Sequence, residues 1–118
     1  MGVIWQAVLC SALLSFGQLI WKIGLGKLQV VTLISLEGLT KALISPYIIT
    51  GMVIYLVATV IWLNVLSKLP LSFAYPLMSI AYIFGMVLAK TVLGESISTV
   101  RWLGAFVIVF GVYLVSRA

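Results

Sequence analysis

Apolar residues run along this chain in long blocks, interrupted at intervals by charge, glycine or proline. Uncharged stretches fill positions 1–21, 42–67, 69–89 and 102–116. A helix that crosses a bilayer needs about 20 mostly apolar residues, because its backbone satisfies itself and its side chains face hydrocarbon. The pattern predicts four such helices, at about 3–22, 46–67, 71–91 and 98–116. The last is short, but Arg101 and Trp102 suit the interface, and Ser96 or Ser98 can cap the helix start. Lys22, Gly24, Gly26 and Lys27 mark the end of the first helix. Lys68 and Pro70 part the second from the third, and Lys90, Gly94, Glu95 and Arg101 part the third from the fourth. Segment 28–43 is too short and too polar to span. Its Leu33, Leu36, Leu39 and Leu43 fall near one face, as in a short interfacial helix or an extension of the second span. The first block has no basic flank before it and is too long for a cleavable signal peptide. The expected fold is all-α: one transmembrane domain over 1–118, folded as a four-helix bundle.

Composition agrees. Of 118 residues, 64% are hydrophobic and 8% charged, more apolar surface than so short a soluble domain can cover. There is no His, and only two acids, Glu37 and Glu95, stand against seven Lys and Arg. The usual donor sets of a metal site or a Ser-His-Asp triad are therefore missing, and no metal, cofactor or catalytic residue is expected. Cys10 is single, which rules out an internal disulfide.

The net charge of +5 points to an anionic partner, and for a membrane protein lipid comes ahead of nucleic acid. The competing reading is that the basic residues only orient the helices. Segments 22–45 and 90–101 carry Lys22, Lys27, Lys41, Lys90 and Arg101, whereas the opposite side carries Lys68 and Arg117. The positive-inside rule puts the first two segments in the cytoplasm and both termini outside.

Polar residues at membrane depth are expensive, and so each is a candidate for function. The first helix has Gln18, with Ser11 and Ser15 at one- and two-turn spacing; the second has Thr59 and Asn64. The third has Tyr75, Ser79 and Tyr82 at i, i+4 and i+7, which is one helical face. Hydrogen bonding between helices competes as an explanation for the Ser and Thr. A buried amide has more bonds to satisfy, so Gln18 and Asn64 lean toward function. An interfacial aromatic belt suits Tyr75 better than Tyr82.

No acid falls inside a predicted span, which argues against exchange of a cation for protons. Lys22, Lys90 and Arg101 instead end up at one membrane face, where a cluster can grip a lipid phosphate. Gly104 and Gly111 stand one heptad apart on the last helix. Small residues at that spacing permit close helix contact, within the protomer or across a dimer. A dimer is expected, since four short helices enclose little interior.

Three stretches together carry a resemblance: SALLSFGQLIWKIG (11–24), PLSFAYPLMS (70–79) and LGESISTVRWLGAFVIVFGVYLV (93–115). The chain resembles the small multidrug resistance and EamA-like branch of the drug/metabolite transporter superfamily. Within it, the pattern is most similar to the small four-helix subunits that flip undecaprenyl-phosphate-linked aminoarabinose. Multidrug members carry a Glu in the first helix where this chain has Leu14, and a Trp after the helix-3 Tyr where it has Met78; Tyr75 itself matches. The resemblance thus implies movement of an anionic polyprenyl-phosphate lipid, bare or sugar-linked, across a bacterial inner membrane. It also implies a homodimer, or a heterodimer with a similar subunit, with protomers in antiparallel insertion.

The expected substrate groove holds Gln18, Lys22, Asn64, Tyr75, Ser79, Tyr82, Lys90 and Arg101, and the expected dimer contact holds Gly104 and Gly111. The rival readings are a multidrug or small-cation exporter, and a non-transporting accessory subunit of a membrane glycosyltransferase.

Overall fold

A computed structural model describes residues 2–28 and 33–117. In chain order these form α1 (Gly2–Leu28), α2 (Leu36–Ile44), α3 (Pro46–Lys68), α4 (Leu71–Leu77), α5 (Ile80–Thr91) and α6 (Thr99–Arg117). Four segments are long and apolar enough to cross a membrane: Gly2–Leu28, Pro46–Lys68, Leu71–Thr91 and Thr99–Arg117. The chain is thus a multi-pass, all-α membrane protein. Large apolar side chains point outward from these helices, Trp5 at 70% exposure and Val107 at 68% among them. In water they would be a liability; in a bilayer they meet acyl chains.

The interior is made of small residues. α1 and α3 run antiparallel, so Cys10 donates from Sγ to the Ala58 carbonyl at 3.2 Å near the middle of the pair. Ala7 and Val65 pack at one end, with Ala74 and Leu77 from α4. Toward the other end, Gly17 faces Ile54, and a Cβ on Gly24 would stand 2.5 Å from the Tyr47 Cβ. Close approach of this kind is how helices associate where no hydrophobic drive separates protein from solvent.

Gly24 therefore does not end α1, as its place in the sequence led us to expect. The helix continues through Lys22, Gly24, Gly26 and Lys27 to Leu28. Glycine weakens a helix by exposing backbone to water, but near the membrane boundary and under Tyr47 that cost is small and the missing side chain makes room. Lys27 leaves the helix end with its ammonium 5.6 Å from the Tyr47 ring centre.

Of the 28–43 segment, positions 29–32 lie outside the described residues, and the remainder holds α2. Ser35 caps it, its hydroxyl accepting from the Gly38 amide at 3.0 Å. α2 is a helix apart and not an extension of α3. Ser45 precedes Pro46, and the proline ring forces it into extended backbone, while Pro46 is well placed to begin α3. Gly38 and Ala42 are buried, and Leu36, Leu39 and Leu43 face outward.

The third span is broken. Pro76 supplies no N–H, and across the junction the backbone bonds shorten to three-residue steps: Met78 to Tyr75, Ser79 to Pro76, Ala81 to Met78 and Tyr82 to Ser79, at 2.9–3.0 Å. α4 and α5 together run alongside α1 in the same direction, and α6 returns against them with only Ala105 deeply buried. Ser98 accepts from the Arg101 amide at 3.3 Å and caps the start of α6.

Candidate substrate groove

Between α1, the broken α4–α5 span and the turn into α6 lies a groove of about 920 Å³. α1 contributes Ser15, Gln18, Leu19 and Lys22, spaced i, i+3, i+4 and i+7 and so on one face. From α4 through α5 come Tyr75, Ser79, Tyr82, Met86 and Ala89, a second continuous stripe. Glu95 and Ile97 close one end from the turn, and Arg101 joins them from the first turn of α6. The groove is therefore graded. Lys22, Glu95 and Arg101 gather at one end; Tyr75 and Ser15 lie toward the Pro76 break.

Two hydrogen bonds hold the walls together. Ser15 Oγ donates to its own helix at Ser11 O (2.9 Å) and across to the Ala81 carbonyl (3.0 Å). Ser11 Oγ donates to Ala7 O at 2.9 Å and approaches Met78 Sδ at 3.7 Å. Both hydroxyls are buried, and their part in joining α1 to α4–α5 is structural.

Six of the eight residues expected in a substrate groove line this one: Gln18, Lys22, Tyr75, Ser79, Tyr82 and Arg101. Gln18 faces the open groove and is not a buried amide. Asn64 and Lys90 stand elsewhere. Asn64 lies on α3, which packs against a different face of α1, and its Nδ2 donates to Gln6 Oε1 near the start of that helix. The Lys90 ammonium turns to the Trp102 ring, 5.8 Å from its centre.

Glu95 is the lining residue that the sequence pattern did not single out for the groove. It follows Gly94, whose φ of +69° lies in the left-handed region. The Glu95 amide then reaches back six residues to the Ala89 carbonyl at 3.0 Å and ties the turn to the end of α5. That turn carries the carboxylate to the mouth of the groove. A smaller cavity of about 190 Å³ lies between α1 and α3, and Leu14, Thr59 and Trp62 line it.

The relatives reported for this chain are bacterial. It is 32% identical over 123 residues to the Proteus mirabilis (strain HI4320) protein named "Probable 4-amino-4-deoxy-L-arabinose-phosphoundecaprenol flippase subunit ArnF", covering 98% of this chain and 92% of the relative. The chain belongs to the family of 4-amino-4-deoxy-L-arabinose-phosphoundecaprenol flippase subunits. Its likeness extends to proteins named as the ArnE subunit. One from Aeromonas salmonicida (strain A449) is 36% identical over 74 residues, 63% of this chain and 65% of that one. Another, from Yersinia pseudotuberculosis serotype O:1b (strain IP 31758), is 39% identical over 56 residues, 48% of this chain and 49% of that one. No protein-family model matches the sequence, and no solved structure matches the fold. Leu14, where the resemblance to multidrug members leads one to look for a Glu, lines the smaller cavity and not the charged groove.

Proposed function

We propose that this chain is one subunit of a flippase that moves an anionic polyprenyl-phosphate lipid, bare or sugar-linked, between the leaflets of a bacterial inner membrane. The observation that carries this reading is the graded groove. Lys22 and Arg101 stand at one end of it, and Gln18, Ser79, Tyr75 and Tyr82 continue inward as uncharged polar groups. A phosphate gains charge-assisted bonds from the two cations, and headgroup hydroxyls find partners farther in. The polyprenyl tail remains in hydrocarbon beside the apolar outer faces of the helices. No covalent step is required.

The α1–α3 connection and the α5–α6 turn lie together at the more basic end of the bundle. The positive-inside rule, applied to that bias, supports a cytoplasmic side for those connections. A lipid phosphate must also be received at the far face, where this protomer offers Lys68 and Arg117. A second subunit in opposite insertion, either another copy or a similar chain, would supply a matching basic end there.

Two experiments test this. In proteoliposomes, the chain with its partner subunit, or alone as a homodimer, should transfer polyprenyl phosphate between leaflets. Tight binding of tetraphenylphosphonium with proton release, uncontested by anionic lipid, would establish the cation-exporter reading instead. For orientation, a cysteine placed after residue 118 in a Cys10→Ser background can be labelled from each side of intact cells. Serine preserves the donor to the Ala58 carbonyl. Label from one side only, with activity from this chain alone, would overturn antiparallel pairing of copies.

A further inference from the structure

The groove holds a carboxylate as well as cations. Glu95, Lys22 and Arg101 line the same end. Among the described residues, the ion pair that forms is Lys41 with Glu37 at 3.2 Å on α2, away from the groove. Glu95 thus shares a wall with two cations and is paired to neither. A site built only to hold phosphate has no use for a carboxylate, because that charge repels the ligand and weakens both cations toward it. The backbone that bears the carboxylate is fixed by Gly94 at φ +69° and by the bond from the Glu95 amide to Ala89 O.

From this we infer that Glu95 is the acceptor for an ammonium group on the transported headgroup, so that the groove selects lipid phosphates carrying a free amine over bare or neutral ones. The inference rests on the flippase reading above. Two cations and one anion at one end complement a zwitterionic headgroup: phosphate toward Lys22 and Arg101, amine toward Glu95. Tyr82 and Ser79, farther along the same stripe, offer hydroxyls to the sugar between those charges. The groove volume of about 920 Å³ falls within the span of about 300–1,000 Å³ usual for small-ligand sites, enough for a sugar phosphate.

The test uses the full chain in bilayer nanodiscs and three probes: undecaprenyl phosphate, the same lipid bearing an amino sugar, and that amino-sugar lipid with its amine acetylated. The wild type should prefer the free amine to the acetylated form by about tenfold, the value of one charge-assisted bond at a partly solvated site. Glu95→Gln keeps the side chain's size and should abolish that preference while binding undecaprenyl phosphate at least as well as the wild type. Retained preference in Glu95→Gln would overturn the assignment, as would a wild type indifferent to acetylation. Loss of all three lipids together in Glu95→Gln would also overturn it, since the residue would then be shaping the groove. Failure of the wild type to bind any of the three would instead sink the flippase reading itself.

Discussion

The Trp21 indole occupies the space in which a side chain on Gly51 would stand, and its Nε1 donates to the Ile48 carbonyl at 2.9 Å. The ring is also stacked on Tyr55, with centres 5.4 Å apart and planes 19° from parallel. It cannot swing aside without losing both contacts. Gly51→Ala should therefore destabilise the protein by about 1–3 kcal/mol, as overpacking does. Gly26→Ala, which meets open space within α1, should be neutral or stabilising by up to about 1 kcal/mol. Unfolding in mixed micelles compares the two, and equal effects would refute the role given to the indole.

Lys22→Ala and Arg101→Ala should each weaken binding of polyprenyl phosphate by roughly tenfold or more, the worth of a charge-assisted bond at ~1.5–3 kcal/mol. Lys90→Ala should cost less, because its ammonium is engaged with Trp102 outside the groove. Titration with the lipid in nanodiscs reads all three. Equal losses would favour a diffuse surface potential over a defined site.

Pro76→Ala restores a backbone donor toward the Ser72 carbonyl and allows the third span to straighten. Stability should hold or rise by about 1 kcal/mol, well short of the ~3 kcal/mol of a full helix-interior proline, since the junction already has its own three-residue bonds. Transfer between leaflets should fall several-fold, because Tyr75, Ser79 and Tyr82 straddle the break and their mutual angle changes with it. Unchanged transfer in a stable variant would show that the break plays no part in movement.

Gly104 and Gly111 both face open space in the protomer. Leucine at both should leave the single chain's fold intact and yet weaken assembly, if α6 is where subunits meet. The dimer fraction in lipid, measured by cross-linking or single-molecule counting, decides it. An undiminished fraction moves the interface to another helix.

Much of this architecture was legible in the chain. The four spans follow from uninterrupted apolar length, and the Tyr75–Ser79–Tyr82 stripe follows from helical period, which a break at Pro76 bends without shifting off the groove. Periodicity cannot say which neighbour a face will meet. Asn64 has the polarity of a site residue, but its helix packs on another side of α1, where Gln6 satisfies it. Lys90 lies beside Ala89 of the groove stripe, and one helical step turns it to Trp102 instead. Glu95 was hidden for another reason. Its direction depends on the sign of φ at Gly94, a property of a single turn that no repeat announces. The glycines after Lys22 misled as well, since room for Tyr47 and a helix stop are written with the same residue.

The seam between α1 and α3 is dense, and α6 hardly touches the rest, with Ala105 its one deeply buried residue. This implies an order of biogenesis. Once the chain has been inserted through Lys68, the α1–α3 hairpin has every partner its seam needs: Cys10 with Ala58, Trp21 with Ile48, Gly24 with Tyr47. A chain cut after α3 should then still form a disulfide between Cys10 and a cysteine placed at Ala58, and failure to do so would refute the order. α6 arrives last, onto a body already formed, with most of its surface uncommitted. That surface can be claimed by lipid or by a second chain without reopening anything beneath it, so sequence drift on α6 can change which companion the protein keeps while leaving its frame untouched.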